Sequence, residues 1–250
     1  MKILLISDIH GNAEALRAVM RAETDADGAV FLGDALLSGP QANETLELLD
    51  ELKPNIAIRG NHDDEVLDPS GFRSWPAEWI ALNDWILADL DASAVAKIER
   101  FSDAGLYEFG GISAYLHHGD LGHRDLAAVP DADEEVFNLL AGGTDAELVL
   151  FGHTHVQFTH KIGSRTFINP GSVGQPRCGV LHACYGVFED GVYEARLVRY
   201  DPAPWLAALD RIDVLNEFPD FRSWLVEGLL SGYGIGKREP WTRYALQGYA

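Results

Sequence analysis

The stretch LLISDIHGN, Leu4 to Asn12, decides how the chain is read. A continuous apolar run ends on an acid and an imidazole, Asp8 and His10, one residue apart. A run with no polar face describes a strand buried on both sides, as in a parallel sheet. Asn12 then stands where a helix N-cap belongs, ahead of AEALRAVMRAE with apolar residues at helical spacing. The acid and imidazole either cap that helix or bind something positively charged.

Working outward, the same alternation repeats. GAVFLGD reads as a second strand, ANETLELLDEL as a second helix stopped by Pro54, and NIAIRGN as a third strand. A βαβαβ order implies parallel strands covered by helices. Trp75 to Phe101 reads as helical, within an insertion spanning about 70–105. Three hairpins follow from turn signals at Gly110-Gly111, Gly163-Ser164 and Asp190-Gly191, with a short helix at Glu134–Leu140 and the strand AELVLFGHTH between the first two. From Asp201 the pattern is helical and aromatic. Trp205, Leu206 and Leu209, then Phe221, Trp224 and Leu225, recur at helical spacing. The expected organisation is a domain over 1–200 and a helical extension over 201–250 packed on it, walling a cleft or meeting a second copy.

Thirty-nine acids face 19 bases, and the formal net charge is −20. Such a surface repels polyanions and argues against a nucleic-acid polymer as partner. Two cysteines, Cys178 and Cys184, are too few for a disulfide framework and suit a reducing compartment. MKILLIS is too short for a signal-peptide core, and no run reaches the roughly 20 apolar residues of a membrane span. A cytoplasmic location is expected.

Polar residues with metal-ligand chemistry collect at the ends of the strands. They are Asp8 and His10, Asp34 in LGD, Asn61, His62 and Asp63 in GNHD, His118 in LHHGD, and His153 and His155 in GHTH. Ligand sites of open α/β sheets form at that edge. Residues two apart in an extended chain face the same way, so Asp8 can converge with His10, and His153 with His155. Taken singly, Asp8 is better read as a capping acid, and His118 or His153 as a core histidine. Together, carboxylates, imidazoles and an amide without a thiol suit Mn, Fe, Zn or Co.

The series D-x-H, GD, GNHD, HG and GH-x-H resembles the calcineurin-like metallophosphoesterase superfamily. DIHGN, NPGSVGQPR and the GPQANETLELL after Asp34 are similar to its small bacterial single-domain branch. The resemblance implies a four-layer αββα sandwich, two mixed sheets flanked by helices, here with the helical insertion and tail added. It implies two divalent metal ions, Mn foremost with Fe, Zn, Co or Ni as alternatives. Asp8, His10, Asp34 and His155 would hold one ion, and Asp34, Asn61, His118 and His153 the other, with the free amide of Asn61 left to donate to the substrate phosphate. His118 is chosen over His117 because the family's ligand precedes glycine. His62 would face the substrate, with Asp63 behind it to orient the ring and raise its pKa.

Arg177 in GQPR would bind phosphate or form a structural salt bridge. Asn12 would touch substrate or cap the helix. The family carries Arg where this chain has His182. The implied activity is hydrolysis of a small phosphomonoester or phosphodiester, such as a nucleotide, by in-line attack of metal-activated water. A weakly catalytic binding scaffold of the same fold and a nuclease are the competing readings. A homo-oligomer stays open.

Overall fold

The computed structural model describes residues 1–123 and 126–250. Strand β1 (Lys2–Ile6) is buried on both faces, as its unbroken apolar run requires. Leu4 and Ile6 point to one core, and Ile3 and Leu5 to another. Helix α1 (Ala13–Ala22) is capped by Asn12, whose side chain accepts from the Ala15 N–H. Strand β2 (Gly28–Phe31) pairs parallel with β1. Helix α2 (Ala42–Leu52) ends on Lys53 in the left-handed region, one residue before Pro54.

Strand β3 (Ile56–Ala57) pairs parallel with β2 but is shorter than its apolar run indicated. Just beyond it the chain passes close to the end of β2, where a Cβ on Gly33 would lie 2.4 Å from Gly60 N. Helix α3 (Asn61–Leu67) starts at that contact. The insertion adds α4 (Ala77–Asp89) and α5 (Ala94–Ile98).

The second sheet begins with the hairpin of β4 (Gly105–Phe109) and β5 (Ile112–Leu116). Helix α6 (Glu134–Leu140) and β6 (Leu148–Leu150) follow, then the hairpin of β7 (Gln157–Ile162) and β8 (Arg165–Pro170). The last hairpin, β9 (Ala183–Glu189) with β10 (Val192–Val198), returns to the first sheet beside β1. The sheet orders are β10-β9-β1-β2-β3 and β4-β5-β6-β8-β7, both mixed. Ile3, Leu5 and Val30 from the first sheet meet Leu116, Leu150 and Ile168 from the second, which closes the middle of an αββα sandwich.

The tail supplies α7 (Ala203–Leu209), α8 (Pro219–Ser231) and α9 (Trp241–Leu246). Trp205, Leu209, Leu225 and Leu229 join the core over the outer face of the first sheet. Tyr244 of α9 joins the opposite core, with Phe137 of α6 and Phe151 after β6. The tail therefore runs from one outer layer to the other. Among the described residues, no helix is long and apolar enough to cross a membrane.

Candidate metal centre

Asp8 follows β1, Asp34 follows β2, Asn61 opens α3, His118 follows β5, and His153 and His155 follow β6. All sit at the carboxyl edge of their strands, where the two sheets meet. They do not converge through strand alternation. Asp8, His10, Asp34, His153 and His155 have φ between 49° and 66°, the left-handed region. Each non-glycine residue there costs about 1–2 kcal/mol. The loops hold this by cross-bracing: the Asp8 N–H donates to Gly33 O at 2.9 Å, and the Ile9 and His10 N–H groups to Asp34 O at 2.9 and 3.1 Å. The curled backbone also places His153 and His155 in different sets. His155 joins Asp8 and His10, whereas His153 joins Asp34 and His118.

Within each set of three the ligand atoms lie within 4.8 Å of one another. His155 Nε2 is 3.2 Å from Asp8 Oδ1, and His118 Nε2 is 3.1 Å from Asp34 Oδ2. His10 Nε2 lies between the sets, 3.7 Å from Asp8 Oδ1 and 3.9 Å from Asp34 Oδ2. Asn61 Oδ1 faces His153 Nδ1 at 3.0 Å.

Three imidazoles are oriented alike. His10 Nδ1 bonds to Leu37 O, His118 Nδ1 to Leu32 O at 2.7 Å, and His155 Nδ1 to Gln175 O at 2.8 Å. A ring that donates Nδ1–H keeps its lone pair on Nε2, the arrangement metal-binding histidines use. The Nε2 atoms of His10 and His155 face each other at 3.0 Å. Two lone pairs at that distance repel unless a proton or a metal cation lies with them. His118 Nε2 is buried without a hydrogen bond, because Asp34 is near it but off the bonding direction. Asp8 and Asp34 are 0% and 1% exposed, and buried carboxylates require cationic partners. The donor set fits divalent metal ions.

Burial pushes His153 and His155 down to about 4, which leaves both rings neutral and able to ligate at neutral pH. Burial also disfavours a charged His118, but the Asp34 and Asp8 carboxylates outweigh it and raise the ring to about 10. A cation at this position would displace that proton. Asp34 itself is held well below the usual carboxylate range, burial being outweighed by the surrounding imidazoles.

His62 contributes its ring to the set formed with His10 and Asp34. Its orienting partner is not Asp63. The Asp63 carboxylate accepts from the backbone N–H groups of Asp34 at 2.8 Å, Ala35 at 2.9 Å and Gly60 at 2.9 Å. It is committed to bracing the Asp34 loop against α3. Glu65 holds the ring instead, with Oε2 2.7 Å from His62 Nδ1. Burial lowers the His62 pKa, and the carboxylates of Asp34 and Glu65 more than reverse this, so the ring is raised overall. The sequence does not mark Glu65 for this role, because Asn61–Leu67 lacks helical apolar periodicity. Once the segment is known to be a helix, the i,i+3 spacing places the two side chains together.

Arg177 is 8% exposed and lines a cavity of ≈ 280 Å³ with His10, Asp34, His62 and His155. Its guanidinium lies 3.4 Å from the Trp241 ring centroid. Among the described residues its Nε has no hydrogen-bond partner. Asn12 is not at this surface. Its amide is spent on Ala15 N–H, Gly174 O and Tyr200 Oη, at 3.0–3.1 Å, and it is 1% exposed. His117 accepts from the Gly119 N–H, and His182 sits against Arg199 outside the cavity. Trp75 and Trp79 of the insertion and Ile235 and Trp241 of the tail complete the cavity wall.

A sequence model of the calcineurin-like phosphoesterase superfamily domain matches residues 1–189. An uncharacterised protein of Methanocaldococcus jannaschii is 29% identical over 92% of this chain and 98% of its own length. The phosphodiesterase YfcE of Escherichia coli K12 is 28% identical over 77% of this chain and 89% of its own. The crystal structure of a metallophosphoesterase from Sphaerobacter thermophilus superposes with a TM-score of 0.70 at 26% identity, covering 91% of this chain and 99% of that one.

Proposed function

The chain belongs to the calcineurin-like phosphoesterase superfamily, and from that premise we propose that it is a metal-dependent hydrolase of small phosphate esters. The observation that carries the reading is the division of the ligand atoms. Asp8, His10 and His155 form one set, and Asp34, His118 and His153 another, with Asp34 also in a third set with His10 and His62. Two adjoining divalent cations, Mn foremost and Fe, Zn, Co or Ni as alternatives, would be held there with Asp34 between them and Asn61 on the second. When bound, such a pair supplies Lewis acidity to phosphoryl oxygens and lowers the pKa of an attacking water.

The chain's own groups supply the rest. His62, whose hold on a proton Asp34 and Glu65 strengthen against the effect of burial, donates to the departing alkoxide. Asn61 binds through its carbonyl without adding charge. Arg177, a buried guanidinium beside the set, takes a phosphoryl oxygen. Asp63 fixes the Asp34 loop so that these groups stay aligned.

A net charge of −20 leaves little basic surface to follow a polymer backbone, so the nuclease reading gains no support. The test pairs elemental analysis of Mn-saturated protein with assays of p-nitrophenyl phosphate, its bis-ester, mononucleotides and long DNA. Two metal equivalents and turnover of the small esters are expected. Fewer than two equivalents, or salt-sensitive cleavage of DNA alone, would sink the proposal.

A further inference from the structure

The cleft does not end at the metal-ligand cluster. Trp75, Trp79 and Ile235 line the ≈ 280 Å³ cavity over His62 and also a second pocket of ≈ 490 Å³. Small-molecule sites commonly span about 300–1,000 Å³. Phe221, Trp224, Glu78 and Arg238 wall the second pocket. It is built where the insertion meets the tail, and the Trp79 ring lies 4.8 Å from Phe221 and 5.8 Å from Trp224.

Its direction from the reacting groups is informative. The Trp75 ring stands edge-on to His62, centroids 5.5 Å apart. If His62 protonates the leaving oxygen, the alcohol being released lies on the Trp75 side. The Trp75 ring is also part of the wall of the aromatic pocket. On the other wall, Arg177 is nine-tenths buried, its Nε has no hydrogen-bond partner among the described residues, and it is backed by Trp241. An anionic group therefore belongs at Arg177 and a planar apolar group beyond Trp75. Glu78 and Arg238 add one acceptor and one donor at the pocket wall, which suits a heterocycle with amino and ring-nitrogen groups.

We propose that this pocket is the subsite for the alcohol portion of the substrate, and that the substrate class is a phosphate ester of a nucleoside. The proposal rests on the phosphoesterase reading above only for the chemistry at phosphorus; the pocket would bind the nucleoside without turnover. A stacked base contributes about 10-fold or more to affinity. Trp79, shared by both compartments, is the main specificity-determining residue.

The experiment has a binding arm and a kinetic arm on the Mn-loaded full chain. Adenosine and ribose are titrated by calorimetry and tryptophan quenching, and kcat/KM is compared for AMP and ribose 5-phosphate. Adenosine is expected to bind at least about 10-fold tighter than ribose, with the same preference in kcat/KM. Trp79→Ala should bring the preference to within about 2-fold. Because that variant removes packing, Glu78→Arg, at a partly exposed residue that walls the second pocket alone, serves as an independent check and should lower the preference as well. Equal binding of adenosine and ribose would overturn the proposal, as would a preference that survives both substitutions. Adenosine binding without hydrolysis of either ester would retain the subsite and reject the activity. Hydrolysis of both esters at equal kcat/KM without adenosine binding would retain the activity and reject the subsite.

Discussion

His62 Nδ1 and Glu65 Oε2 lie 2.7 Å apart, one turn of α3 from each other, beside the candidate metal ligands His10 and Asp34. With its Nδ1 so engaged, the ring turns Nε2 away from Glu65. The pair predicts a pH signature. Glu65→Gln removes a carboxylate that raises the His62 pKa, so the pKa falls. If His62 is the acid, the limb of kcat that declines with rising pH should move to lower pH. Asp63→Asn should leave that limb in place. A kcat–pH profile with an unmoved limb in Glu65→Gln would rule out this role.

Asp34→Asn is expected to cost more activity than His62→Ala. The first removes the charge shared by the ligand sets, and the second removes acid catalysis worth about 10²–10⁴-fold. Metal content and kcat measured together decide it. Full metal content with near-normal turnover in Asp34→Asn would contradict the bridging role.

Asn12→Ala should behave as a stability variant. Its amide caps α1 and ties that helix to Gly174 and Tyr200. A lost cap costs about 1 kcal/mol. Urea denaturation should show a lower midpoint, with KM unchanged within error. A raised KM at unaltered stability would return Asn12 to the substrate site.

Glu23 provides a test of acid stability far from the cluster. It is 6% exposed and accepts from Lys2, Tyr185 and Arg196. Burial raises its pKa, but these partners outweigh burial and hold it below the usual 4.5. A depressed folded pKa means the stabilisation is present above about pH 4.5 and is lost as pH falls through the folded value. Glu23→Gln should therefore cost about 1–3 kcal/mol at pH 7. The gap from the parent should narrow below pH 4.5, read by chelator-treated denaturation curves. A constant gap down to pH 3 would refute the assignment.

The tail should resist proteolysis at its junction with the body. Leu209 is 1% exposed and packs in the core over the first sheet. Leu209→Ala is expected to cost about 2–5 kcal/mol and to open cleavage after Tyr200. Rapid clipping there in the parent chain, with residues 1–200 left intact, would mean the packing does not persist in solution.

The order of strands and helices along the first sixty residues, the three hairpin turns and the helix at Glu134–Leu140 were legible in the sequence. Each depends on signals between near neighbours: periodicity of apolar residues, a capping Asn, paired turn residues. Placement of Asp8, Asp34, His118 and His153 at one edge was legible too, because parallel strands bring their carboxyl ends together. Tertiary structure decided the rest. Asp63 and Glu65 both lie within a turn of His62, and only the packing of α3 against the Asp34 loop shows which carboxylate is free for the ring. The division of His155 with Asp8 and His153 with Asp34 was implied by the resemblance, but the left-handed backbone that produces it is imposed by hydrogen bonds between loops far apart in sequence. The tail's passage over the cleft depends on cores on both sides of the sandwich, which no local pattern contains. Periodicity states that a face is apolar; what it is buried against depends on contacts that exist only after the chain has closed on itself.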